Sequence, residues 1–127
     1  MMRISKEKYP ILMDAIRLYE NRSHDLEILS FQFLRQPQAS NNVARFRHEK
    51  KLAASIWWKL CDSRPVYIRA TRVFLMPEMS TEELREIKNA LHHLVKSAER
   101  YSYSISNKKI KMINEILTMI DKEIKKL

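Results

Sequence analysis

Apolar positions recur at helical spacing along almost the whole of this chain. Ile11, Leu12, Ile16 and Tyr19 form a stripe that predicts a helix beginning near Pro10, whose fixed φ suits a first helical turn. Asn21-Arg22-Ser23 has two readings. Either it interrupts this helix, with Ser23 capping a second stretch to Arg35 that carries Leu26, Leu29, Phe33 and Leu34, or it lies inside one long bent helix. Gln36-Pro37-Gln38 and Ser40-Asn41-Asn42 read as a loop and an N-cap. A helix over 43–62 then places Val43, Phe46, Ala53, Ile56, Trp57, Leu60 and Cys61 on one broad side. Arg45, Arg47, His48, Lys51, Ser55, Trp58 and Lys59 fall opposite, and Ser63-Arg64-Pro65 ends the helix.

Residues 66–76, VYIRATRVFLM, have the β-branched and aromatic content of a strand. No second strand offers itself for pairing, and Pro65 and Pro77 bound the segment, so a short helix is expected. Ser80-Thr81-Glu82-Glu83 reads as a capping box closed by Ser80 and Glu83. Leu84, Ile87, Leu91, Leu94, Val95, Ala98, Tyr101 and Ile105 continue as one long apolar stripe. Ser106-Asn107 breaks or caps it. The last helix carries Ile110, Ile113, Ile116, Leu117, Ile120, Ile124 and Leu127 on one side, with lysines opposite. Lys122, Lys125 and Lys126 suit the negative end of its dipole. The pattern predicts an all-α fold, one domain over 1–127, built as a bundle of four to five amphipathic helices.

Composition narrows the chemistry. The 127 residues include no glycine. That removes the tight turns and close backbone approaches behind dinucleotide-binding fingerprints, phosphate loops and nucleophile elbows. A single cysteine, Cys61, can form no internal disulfide, and no stretch approaches the length of an apolar membrane span. MMRISKEKYP lacks the apolar run of a secretory signal. A cytoplasmic protein without a membrane span is the expectation.

Charge is where the sequence points toward a partner. The net charge is +9, and residues 35–72 alone hold nine basic side chains against Glu49 and Asp62. A cationic third within an otherwise near-balanced chain suits an anionic partner. On a helix Arg47, Lys51 and Trp58 share one longitudinal strip, and His48, Ser55 and Lys59 line the next. Such side chains neutralise phosphates about a turn apart and offer an indole for stacking. The candidate nucleic-acid contacts are therefore Arg45, Arg47, His48, Lys51, Trp58, Lys59, Arg64, Arg69 and Arg72. They would read RNA or DNA mainly through its backbone. Trp57 is expected in the core, with Trp58 at its rim. The alternative is an interaction or assembly adaptor whose basic face docks an acidic protein. The two C-terminal stripes are wide enough to bury internally or across a homo-oligomer interface.

Arg85 and His92 stand seven residues apart and so share one helix azimuth, with Asn89 between them and Lys96 beyond. This spacing resembles the Arg-x(4–6)-His element of HEPN-type ribonucleases. The resemblance covers eight residues and implies metal-independent RNA cleavage in a dimer cleft. His24, His48, His92 and His93 show no ligand spacing with Cys61, and no metal or other cofactor is expected.

Overall fold

The computed structural model describes residues 2–32, 39–62, 67–68, 72–100 and 106–127. Its elements run β1 (Arg3–Ser5), α1 (Lys8–Gln32), α2 (Ala39–Asp62), β2 (Tyr67–Ile68), β3 (Val73–Leu75), α3 (Thr81–Arg100) and α4 (Asn107–Lys126). The fold is all-α in class, a bundle of these helices with a small sheet at one end. No described helix is long and apolar enough to cross a membrane.

α1 starts two residues ahead of Pro10. The Ser5 hydroxyl accepts from the Lys8 N–H at 3.3 Å, and Pro10 falls in the first turn, where its missing donor costs nothing. Asn21-Arg22-Ser23 does not interrupt it, so the long-helix reading holds. The reason lies on α2. Ser23 is fully buried and its hydroxyl donates to Glu49 Oε2 at 3.4 Å, while Glu27, one turn on, is buried against α2 cations. These two polar residues take the inward row of the second half. Of the apolar residues expected there, Leu29 is 48% exposed, Leu26 is half-buried, and Phe33 and Leu34 lie outside the described residues; Ile28 and Phe31 are about half exposed beside Leu29.

α2 begins at Ala39, so Ser40-Asn41-Asn42 lie inside the helix and are not its cap. It lies antiparallel to α1: the Tyr9 hydroxyl donates to the Leu60 carbonyl at 2.6 Å, and Arg22 meets Glu49. The core draws on every helix through Leu12, Ile16, Ile56, Leu60, Leu91 and Ile116 among others, and on the sheet through Ile4. At α3 the capping box forms as read. The Glu83 N–H donates to Ser80 Oγ at 3.1 Å, and the Ser80 N–H donates to Glu83 Oε1 at 3.0 Å. Ser106 caps α4 by accepting from the Lys109 N–H. Tyr101 and Ile105 lie outside the described residues.

The expected short helix over 66–76 is overturned. Its described portions are β2 and β3, paired antiparallel in a sheet of order β1-β3-β2. The missing partner is Arg3–Ser5, with Ile4 opposite Phe74. Three residues are too few to show a period, and their partner lies some seventy positions away. Bonds from Met76 N–H to Met2 O and from Lys6 N–H to Arg72 O, both 2.8 Å, extend the pairing at either end. Ile4 is fully buried, and the Phe74 ring stacks on Tyr9 with centroids 4.4 Å apart.

Arg72, just before β3, has φ 53°, the left-handed region where glycine is at ease. This chain has no glycine to place there, so an arginine carries a strain of about 1–2 kcal/mol. Arg72→Gly should raise stability by about 0.5–1 kcal/mol, part of the relief being lost to the freer unfolded chain, whereas Arg72→Val should lower it. Urea midpoints of the two variants check this. A glycine variant less stable than the parent would contradict it.

Candidate functional site

The structure divides the nine candidate contacts. Arg64 and Arg69 lie outside the described residues. Four of the others are drawn toward carboxylates, three of them brought up by neighbouring helices. Lys59 Nζ lies 2.7 Å from Glu83 Oε2, and His48 Nε2 lies 2.7 Å from Glu82 Oε1, both on α3. Arg47 Nε donates to Glu27 Oε1 of α1 at 2.9 Å, and Arg45 approaches Glu49 at 3.9 Å within α2. Lys51 and Arg72 are exposed and in no ion pair among the described residues.

These pairs differ in hold. His48 and Glu82 are each about two-thirds exposed, and such a pair is worth roughly 0–1 kcal/mol, so an incoming phosphate can displace it. Glu83 is buried. Burial alone would raise its carboxyl, but donors from Lys59 and Ser80 outweigh that and hold it below its ordinary value. Lys59 is accordingly committed to the bundle. Glu27 is held low first by Lys50 and then by Arg47, and this one carboxylate serves both cations.

The face that remains is the outer side of the α1–α2 pair. Arg47, Lys51 and Trp58 line one strip of α2, with the Trp58 indole 63% exposed. Trp57 stands edge-on to Trp58 with centroids 5.2 Å apart. It is not in the core as expected but half-buried against it, and the Arg17 guanidinium of α1 lies 4.9 Å from its ring centroid. Cys61, also expected in the core, is half-buried beside this pair. Arg17 escaped the sequence reading because its partner is forty residues away. Lys50, with His24 at 3.3 Å, joins the same face.

A second constellation is internal. Glu86 of α3 is buried, and its Oε1 has no hydrogen-bond partner among the described residues. Burial pushes its carboxyl up to about 7; Glu49 and Glu82 add to the rise, and His48 and Arg22 oppose it. Tyr19 of α1, whose phenol is raised by burial and then by Glu49 and Glu86, closes the other side. The Tyr19 ring also meets His93 edge-on at 5.8 Å. His93 is lowered by burial and by Arg22 and Lys96, and it pairs with the Ser97 hydroxyl. Among the described residues no group of histidine, cysteine and carboxylate ligands could hold a metal ion.

Arg85, Asn89, His92 and Lys96 lie exposed along one outward strip of α3. No protein-family model matches the chain, and no curated protein or solved structure is similar enough to it to carry an argument.

Proposed function

We propose that the protein binds nucleic acid through the outer face of the α1–α2 pair, chiefly by contacts to the phosphate backbone. The observation that carries the reading is the strip Arg47–Lys51–Trp58. It presents on one helix an ammonium with no ion pair among the described residues and an indole 63% exposed, flanked by Arg17 and Lys50. Ammonium and guanidinium groups so placed release counterions from a phosphate chain, and an exposed indole adds a stacking surface. Arg45 and His48 extend the field toward α3 through pairs that exchange readily. The interface is thus narrower than the cationic third of the sequence and shifted toward α1.

The test is a titration of labelled single- and double-stranded RNA and DNA at several salt concentrations, read by anisotropy. Lys51→Glu should weaken binding about tenfold and reduce the slope of log affinity against log salt by about 1. Lys122→Glu, an equal charge change on the exposed side of α4, should leave affinity within about twofold. If no ligand binds near physiological salt, or if both variants weaken binding alike, this face is not the interface.

A second reading has its own observation. Ile28, Leu29 and Phe31 are half exposed at the end of α1, and the Arg47 guanidinium lies 5.9 Å from the Phe31 ring. Apolar side chains rimmed by cations also suit an acidic protein partner. That reading predicts a complex abolished by charge reversal at Arg47 and Lys51, with negligible nucleic-acid affinity throughout.

A further inference from the structure

Between the first turns of α1 and the last turns of α2 runs a groove of about 390 Å³, open along one side. Met13 and the half-buried face of Trp57 give it apolar walls, and Asp14 and Arg17 stand at its rim. Trp58 stands beside Trp57, outside the groove and exposed. Resting on the reading above, we infer that this groove receives one unstacked base of a single-stranded nucleic acid while the neighbouring base stacks on Trp58.

Three features argue for a base in particular. The first is size: the groove lies at the small end of ligand pockets, about 300–1,000 Å³, and suits a planar ring with part of its sugar. The second is the chemistry of the rim. Asp14 is a pure acceptor and Arg17 a pure donor. A phosphate would be repelled by Asp14, and an aliphatic chain would satisfy neither. A base edge presents both N–H donors and ring or carbonyl acceptors, and so can meet both. Neither side chain forms an ion pair among the described residues. The third is the state of Arg17. Its guanidinium already lies over an indole, the way such groups stack on aromatic planes, and a base inserted beside it continues that stack. Duplex bases are stacked on each other and cannot enter. The groove therefore converts a backbone-binding face into one that prefers single strands.

The only two tryptophans of the chain are both at this place, so intrinsic fluorescence reports on it directly. The experiment compares three ligands of equal length and charge per strand: a nine-residue oligouridylate, a duplex, and a strand of abasic sugar-phosphate units. The oligouridylate should quench tryptophan fluorescence and bind at least fivefold more tightly than the abasic strand. Met13→Phe, which fills the groove without changing its charge, should erase that difference while leaving abasic affinity within about twofold, and Arg17→Ala should erase it as well while lowering abasic affinity by the few-fold expected of one lost cation. Circular dichroism melts confirm that both variants fold. Equal affinity for base-bearing and abasic strands, without quenching, overturns the base pocket and leaves backbone binding standing. Absence of binding by all three ligands overturns both.

Discussion

Replacing Glu86 by glutamine should raise stability at pH 8 by as much as about 3 kcal/mol and at pH 5 by less than about 1 kcal/mol. The sign follows from the direction of the shift. In the folded protein burial holds the carboxyl at about 7, against 4.5 for an ordinary glutamate. Below the lower value both folded and unfolded chains carry the proton, and the site costs nothing. Between the two values the unfolded chain has released a proton that the folded chain keeps, so stability falls as pH rises. Above about 7 the loss is complete. The groups facing Glu86 explain why ionisation is unwelcome. Glu49 on α2 and Glu82 on its own helix are like charges, and Tyr19 on α1 brings no cation. Arg22 and His48 compensate only in part, Arg22 being engaged by Glu49 and His48 by Glu82. Glutamine keeps the shape without the charge. Urea midpoints of both proteins at pH 5 and pH 8 decide the matter. If the parent is equally stable at the two pH values and the glutamine variant gains nothing at pH 8, Glu86 is not the buried acid described.

Other carboxylates act in the opposite direction. Glu27 and Glu115 are held below the ordinary value by lysine and arginine donors, and Glu83 ends below it despite burial. Their contributions are present above the unfolded value and fade as pH falls through the folded one. Glu86 and these carboxylates therefore oppose one another across the acidic range.

The second large effect is expected at Ile4. Truncation to alanine should cost about 2–4 kcal/mol, because a fully buried β-branched side chain is lost from a site that the bundle ends cannot collapse to fill. The melting temperature should drop by roughly 10 °C for a chain of this size. The residue sits in a strand of only three, yet it joins that strand to the core that also holds Met76, and it stands opposite Phe74, whose ring is stacked on Tyr9 of α1. Arg3→Ala, its exposed neighbour in the same strand, should cost less than about 0.5 kcal/mol. A loss below 1 kcal/mol at Ile4 would mean that the sheet is an ornament on the helices and not part of the core.

These particulars also show what a sequence can and cannot disclose. α3 and α4 were legible because their signals are local: Ser80 and Glu83 three residues apart, Ser106 before a polar turn, and apolar residues at constant spacing. The sheet was not, since Val73–Leu75 needs a partner that only tertiary folding delivers. The same division runs through the candidate site. That Lys51 and Trp58 share a strip follows from helix geometry alone. That Lys59 and Arg47 meet carboxylates could not be read from the charge count of residues 35–72, because Glu83 and Glu27 come from other helices. Net charge records what a segment carries, whereas availability depends on what folds against it.

The Glu83 carboxylate closes the cap of α3 and at the same time grips Lys59 of α2. A helix end is ordinarily where opening begins. Here the first turn of α3 cannot loosen without stripping a buried acid of both its donors, so the sheet end of the bundle behaves as one cooperative unit. At the opposite end α1 carries serine and glutamate inward and half-exposed apolar side chains outward. The protein thus has one pole tied by a doubly held buried acid and one pole packed on polar contacts, and the proposed binding face runs from one to the other.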